Sequence, residues 1–260
     1  MISRIGLVVP TLGTRPEYLM QCLESIRDAG QAFVLLVAPK EFNSEVLFEN
    51  KLIDARESDP GQGLPAAINA GIASLPQEIE FVNWLGDDDL LIRNSLTEVG
   101  AVLDADTNTA MVFGSCEYID SDGNPIWKNK SGQWAVPLMR IGPDLIPQPG
   151  ALFRRSAFES AGGLNPFFNL AFDFDLFLKL SKKGQIVFLN KTVAKFRWHP
   201  ESLSVEHRRF SALEASKVRI SHLPRFVRPF SVIWEWPVRF ATLIAGERVT
   251  ALAKKRISKK

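Results

Sequence analysis

Residues 5–26 read IGLVVPTLGTRPEYLMQCLESI. The apolar run Ile5–Val9 is stopped by Pro10, a short loop Thr11-Leu12-Gly13-Thr14 follows, and Tyr18, Leu19, Cys22, Leu23 and Ile26 then recur at helical spacing. This is strand, loop, helix. The unit recurs in Phe33–Val37, in a helix over about Leu64–Ser74, and in the apolar stretch Ile79–Leu85 with a helix over Ile92–Leu103. Alternation of this kind implies right-handed crossovers and a mostly parallel sheet covered on both faces, an α/β fold. Ligands of such sheets bind in the crevice at the carboxyl ends of the strands, where Thr11–Arg15 and Gly86–Asp89 fall.

Further along, Met111–Gly114 and Glu117–Ile119 read as strand, Ser121–Asn124 as a turn and Pro125–Lys128 as its return. Residues 129–150 are rich in Gly and Pro and suit a loop over a site. Order resumes with Ala151–Phe153, a helix over about Phe174–Lys183, and Ile186–Leu189 before Phe196-Arg197-Trp198-His199-Pro200.

With 260 residues, 46% hydrophobic and 23% charged, the chain suits one substantial core with an appendage and excludes disorder. Cys22 and Cys116 lie in apolar surroundings without paired spacing, which argues against a disulfide framework or zinc cluster and for a reducing, cytoplasmic interior. Residues 1–10 lack the marks of a secretory signal, and no uncharged run approaches the ~20 residues of a spanning helix. Charge is asymmetric: residues 225–260 hold nine Lys or Arg against two Glu. The expected division is therefore a body, 1–222, and a basic helical tail, 223–260.

Several side chains can carry chemistry. Asp87-Asp88-Asp89 follows an apolar strand directly, and hard cations such as Mg²⁺ or Mn²⁺ take one or two carboxylates with phosphate oxygens and water. Taken alone, such a triplet also serves as a helix cap beside solvated acids. Asp173 and Asp175 open an amphipathic helix, where a cap and a general base are both open readings. His199 is one of three histidines and suits either a structural role or a Mn²⁺ shell. Gln62–Gly71 sets small residues and Asn69 on a helix start, which allows either close approach of a nucleotide or tight packing on the sheet.

Four stretches, VVPTLGTRPEYLMQCLESI, GQGLPAAINAGI, FVNWLGDDDLL and the segment from Gln148 to Ser204, resemble in order the family-two group of inverting glycosyltransferases, whose fold is the GT-A type, across about residues 5–205. The resemblance implies a Rossmann-like mixed sheet flanked by helices. It implies a metal-dependent hexosyl or related transferase that moves a sugar from a nucleotide diphosphate to an acceptor hydroxyl. By it, Pro10, Thr11 and the loop to Arg15 lie against the nucleobase, with Asp87 and Asn69 also on the donor side. Gln148-Pro149-Gly150 lies beside donor sugar and acceptor. Asp88 matches the metal-binding second carboxylate of Asp-x-Asp, Asp89 the acid after it, His199 a further metal ligand, and Asp173 the catalytic base. The first Asp of that motif falls on Gly86, and the carboxylate usual after the second strand is replaced around Val37-Ala38-Pro39.

The tail interleaves Phe226, Phe230, Trp234, Trp236 and Phe240 with arginines and ends in lysines, a mixture that suits an anionic membrane surface. A helix packed on the body is the plainer reading. No nucleic-acid motif accompanies the charge. The expected setting is the cytoplasmic face of the cell membrane, with a lipid-linked or polysaccharide acceptor. Two rivals stand: a non-catalytic sugar-nucleotide or glycan binding protein on the same fold, and a nucleotidyltransferase, which would favour a basic, Gly-rich phosphate loop that residues 10–16 lack.

Overall fold

The computed structural model describes residues 3–198 and 208–257. The opening stretch forms β1 (Ile5–Pro10) and α1 (Pro16–Ala29), with Pro16 in the first turn, where a missing N–H costs nothing. β2 (Phe33–Ala38) and β4 (Phe81–Trp84) flank β1 in parallel, and β3 (Ala55–Ser58) lies parallel outside β2, beyond the short α2 (Glu45–Glu49).

Side chains alternate across this half as a two-residue period requires. Leu7, Val9, Val34 and Leu36 pack with Leu19, Leu23 and Ile26 of α1, whereas Val8, Leu35 and Val37 pack with Ile68 and Ile72 of α3 (Leu64–Ala73). Gly71 decides how close α3 comes. A methyl group there would sit 2.6 Å from Val8 Cγ1 and 2.8 Å from Val37 Cγ2, so tight packing accounts for the glycine at 71.

Beyond β4 the sheet becomes mixed. The order is β3-β2-β1-β4-β8-β6-β9-β5, with β7 paired to β6. β5 is Leu90–Leu91, β6 Thr109–Ile119, β7 Pro125–Lys128, β8 Ala151–Arg154 and β9 Gln185–Arg197. β8 runs antiparallel to both β4 and β6, while β6 and β9 are parallel. α4 (Ser95–Ala105), α5 (Ala135–Leu138), α6 (Arg155–Ser160) and α7 (Phe172–Leu180) complete the body, and both cysteines are buried and free.

Two helices follow, α8 (Arg208–His222) and α9 (Val232–Ile257). They are joined by a buried ion pair in which Arg219 Nε donates to Glu235 Oε1 at 2.8 Å and Nη2 to Oε2 at 2.7 Å, with Ser216 Oγ donating to the same Oε2 at 2.6 Å. The expected division between residues 222 and 223 falls between these partners. Val232, Ile233, Trp236 and Phe240 are exposed, and at ~100° per residue they fall within an arc of about 100° that excludes the buried Ser231 and Glu235. Trp236 and Phe240 stack at 5.8 Å between ring centroids. Among the described residues no helix is long and apolar enough to cross a membrane.

Candidate active site

Because β1 and β4 are adjacent and parallel, the segments after them meet at one edge of the sheet. Arg15 ties them together: Nη2 donates to Asp87 Oδ1 at 2.6 Å and Nη1 to Asp88 Oδ2 at 2.8 Å. Thr11 Oγ1 donates to Asp87 Oδ2 at 2.6 Å and itself accepts the Gly13 N–H. Burial raises the Asp87 carboxyl above its ordinary value against the pull of Thr11 and Arg15. Pro10 ends β1, paired with Val37, and places this loop.

Asp89 is buried, and its Oδ1 accepts the Arg197 N–H at 2.9 Å. Burial, reinforced by the Asp88 charge, pushes this carboxyl well up. Arg197 is the organiser of this corner: Nε donates to the Asp88 carbonyl, Nη1 to the Ser121 carbonyl, Nη2 to Gln21, and the guanidinium lies 4.3 Å over the Tyr18 ring. A charged residue closing a strand just before Trp198-His199 was the available signal for it.

Gly86 leaves a notch in this acidic corner. A Cβ at this position would lie 2.9 Å from Asp88 Oδ1 and 3.3 Å from Asp89 Oδ2, so two carboxylate oxygens border the space that a side chain would fill. This donor set, hard oxygens in a small cradle, fits a Mg²⁺ or Mn²⁺ ion that brings phosphate and water ligands of its own. Among the described residues no three His, Cys, Asp or Glu side chains form a closed metal cage. His199 lies outside the described residues.

Asp173 stands in the first turn of α7, whose preceding ring, Phe172, lies 6.1 Å from that of Trp84 at the end of β4. Its Oδ1 accepts the Phe174 N–H at 2.7 Å, and burial raises its pKa to about 6. Beside it is Asp144, which burial and the Asp173 charge push well up, and whose Oδ1 accepts the Ile146 N–H. Both acids keep part of their surface in contact with solvent. Burial raises the Tyr118 hydroxyl, with smaller upward contributions from Cys116, Asp144 and Asp89. Asp144 went unread in the sequence, although a lone acid in the apolar, Pro-rich run Ile141–Pro149 was a signal. Asp175 is a clasp: His222 Nε2 meets its Oδ1 and Lys179 Nζ its Oδ2, each at 2.7 Å.

The remaining expected residues divide. Gln148 Nε2 donates to Asn83 Oδ1 at 3.0 Å and to the Trp84 carbonyl at 2.8 Å, which holds it at the end of β4. Gly150 is a packing glycine, where a Cβ would meet Val193 Cγ2 at 2.7 Å. The Asn69 amide grips Leu164 at both ends, donating to the carbonyl at 2.8 Å and accepting the N–H at 3.0 Å. A two-point bond to backbone is what this amide does, and sequence alone does not separate that duty from ligand contact.

No family model matches the chain. Over 147 residues, 54% of the chain, it is 25% identical to an uncharacterized glycosyltransferase of Rickettsia conorii, and over the same span 24% identical to one of Rickettsia felis. It spans 24% of the length of each of these curated relatives. Among solved structures, its fold is similar to the mannosyltransferase PcManGT of Pyrobaculum calidifontis in complex with GDP-Man and Mn²⁺, with a TM-score of 0.63 and 16% identity over 98% of this chain and 79% of that one. TarS of S. aureus gives 0.60 and 13%, over 97% and 55% of the two chains. GalNAc-T7 with UDP, GalNAc and Mn²⁺ gives 0.57 and 15%, over 87% and 53%. The chain has the GT-A fold.

Proposed function

We propose that this chain is a metal-dependent, inverting glycosyltransferase that moves a hexosyl or related group from a nucleotide diphosphate to an acceptor hydroxyl. The observation that supports the reading is an oxygen-lined notch at Gly86–Asp89, just beyond β4, together with a carboxyl of pKa about 6 at Asp173, whose chain neighbour Phe172 lies 6.1 Å ring to ring from Trp84 of β4. Sequence likeness to glycosyltransferases and the GT-A fold support it independently.

Asp173 is the base. With a pKa of about 6 it is mostly ionised at neutral pH and still basic enough to take a proton from the acceptor hydroxyl as that oxygen attacks the anomeric carbon. Attack opposite the departing diphosphate inverts the centre. Asp88 and Asp89 would hold a divalent cation, with His199 the further ligand that the resemblance suggests. Such an ion supplies positive charge that stabilises the departing diphosphate. Thr11 and Arg15 hold Asp87 and Asp88 in place, and Arg15 brings a guanidinium to the edge where the diphosphate would lie.

The exposed face of α9, with exposed Phe226 and Phe230 before it and basic residues around it, supports peripheral binding to an anionic membrane at its cytoplasmic side. That placement favours a lipid-linked or membrane-held polysaccharide acceptor. A panel of UDP-, GDP- and dTDP-linked hexoses, screened for a rise in melting temperature with Mn²⁺ and then for turnover, tests the reading. One donor should stabilise the protein selectively and be consumed. A flat response across the panel, or binding that never yields turnover with any acceptor lipid or glycan, would remove the enzymatic assignment.

A further inference from the structure

α7 carries Asp173 yet has no cap of its own. Its N-cap residue is Ala171, whose side chain cannot accept a hydrogen bond. The N–H groups leading into it are instead satisfied from α8, by Glu214. Its Oε2 accepts from Leu170 at 2.8 Å and from Ala171 and Asn169 at 3.1 Å, and its Oε1 also accepts from Asn169 at 3.1 Å. Glu214 is only 4% exposed. A buried carboxylate that gathers three consecutive backbone donors fixes the path of those residues, since each unmet donor would carry the cost of desolvation without compensation.

The residue two positions beyond this clamp is Asp173. A base acts over a window of a few tenths of an ångström, so the segment that aims it must be rigid. Asp175 is held to the same helix by His222, so α8 grips α7 on both sides of Asp173. We infer that Glu214 is a positioning residue for the reaction, setting the approach of Asp173 to the acceptor hydroxyl through the clamped backbone of residues 169–171. The inference rests on the reading of Asp173 as the base.

The test compares Glu214→Gln, Glu214→Ala and Asp173→Asn in the full chain. Carboxyl-labelled aspartate NMR follows the Asp173 titration, identified as the signal missing from Asp173→Asn, and hydrolysis or transfer is followed over the UDP-, GDP- and dTDP-hexose panel. A loosened clamp admits water to Asp173, so its pKa should fall from about 6 towards the ordinary 3.8 in Glu214→Gln and further in Glu214→Ala. kcat should fall at least tenfold with donor KM within about twofold, the glutamine variant lying between alanine and the native chain.

An unchanged Asp173 titration and native kcat in Glu214→Gln, with only a lower melting temperature, would overturn the inference and leave Glu214 structural. Failure of both variants to fold would overturn a role confined to positioning. Native turnover in Asp173→Asn would sink the assignment of the base itself; loss there beside a fully active Glu214→Gln would sink only the positioning role.

Discussion

Asp144 lies beside Asp173, and the second carboxylate pushes the first well above its ordinary value, burial adding the larger part. Two acids so placed do not ionise independently. If Asp173 is the base, kcat/KM rises with pH through about 6, because the ionised form is required. Asp173 raises Asp144 and ionises first, so Asp144 still holds its proton as Asp173 titrates, and Asp144→Asn should leave the acid limb near pH 6. A pH profile of the two proteins checks this, and a limb displaced to lower pH in the variant would contradict it.

The same shift has a sign in stability. The folded-state pKa of Asp173 is raised above its unfolded value, so its contribution to stability is fully present below pH 3.8 and is lost as pH rises through about 6. At pH 7 the ionised group therefore strains the fold by about 1–3 kcal/mol. Asp173→Asn should melt higher than the native chain at pH 7, with the gain vanishing near pH 4. Thermal unfolding at the two pH values measures it.

Arg15 offsets the charge of Asp87 and Asp88. Its replacement by methionine leaves a more acidic notch. We expect Mn²⁺ alone to bind roughly threefold to tenfold more tightly, as suits the loss of a partly exposed ion pair of about 1 kcal/mol. Nucleoside diphosphate binding should weaken at the same time. Calorimetry with each ligand separates the effects, and a parallel change in both would disprove the role given to Arg15.

Gly86 stands where the resembling family has an acid, and restoring that acid should do harm. A side chain at 86 would start 2.9 Å from Asp88 Oδ1 and 3.3 Å from Asp89 Oδ2, adding a third carboxylate to crowded ones. Gly86→Asp should lose about 1–3 kcal/mol of stability and bind Mn²⁺ less well than the native chain. A variant that is as stable as native and binds the ion better would show that the notch is dispensable.

On α9, Trp236 is 69% and Phe240 56% exposed. Burial of an aromatic ring is worth about 1.5–3 kcal/mol, so Trp236→Asp or Phe240→Asp should each reduce partition into phosphatidylglycerol vesicles at least tenfold, with little change in melting temperature. Cosedimentation of native and variant protein to the same extent would exclude this face as the contact.

The parallel half of the sheet was readable because β1, β2 and β4 are buried apolar runs punctuated by Pro or Gly, and the Pro125–Lys128 return was readable from its Asp-Gly turn. β3 was not: Ala55-Arg56-Glu57-Ser58 has no apolar alternation and is a strand through its pairing with β2. The length of β9 was hidden by Asn190 and Lys191, which interrupt the apolar pattern while shifts of register against β6 carry the strand through. In the site, the Thr11–Arg15 and Gly86–Asp89 loops followed from the strand ends, and their contact follows from β1 lying beside β4. The packing of Gly71 against Val8 and Val37 and the grip of Asn69 on Leu164 were not legible, because local sequence does not reveal what lies tens of residues away in the chain. Glu214, which holds backbone 43 to 45 positions away, was invisible for the same reason, whereas Asp144 left a trace as a lone acid in an apolar, Pro-rich run.

The Arg219–Glu235 pair sets a rule for engineering. Were the last helix exchanged for that of another protein, Arg219 would be stranded in a dry interior at a cost of about 3–5 kcal/mol unless the graft also supplied an acid at the position of Glu235. The helix is thus a component that must be transplanted together with its socket, and chimeras joined between these two residues are the ones expected to fail.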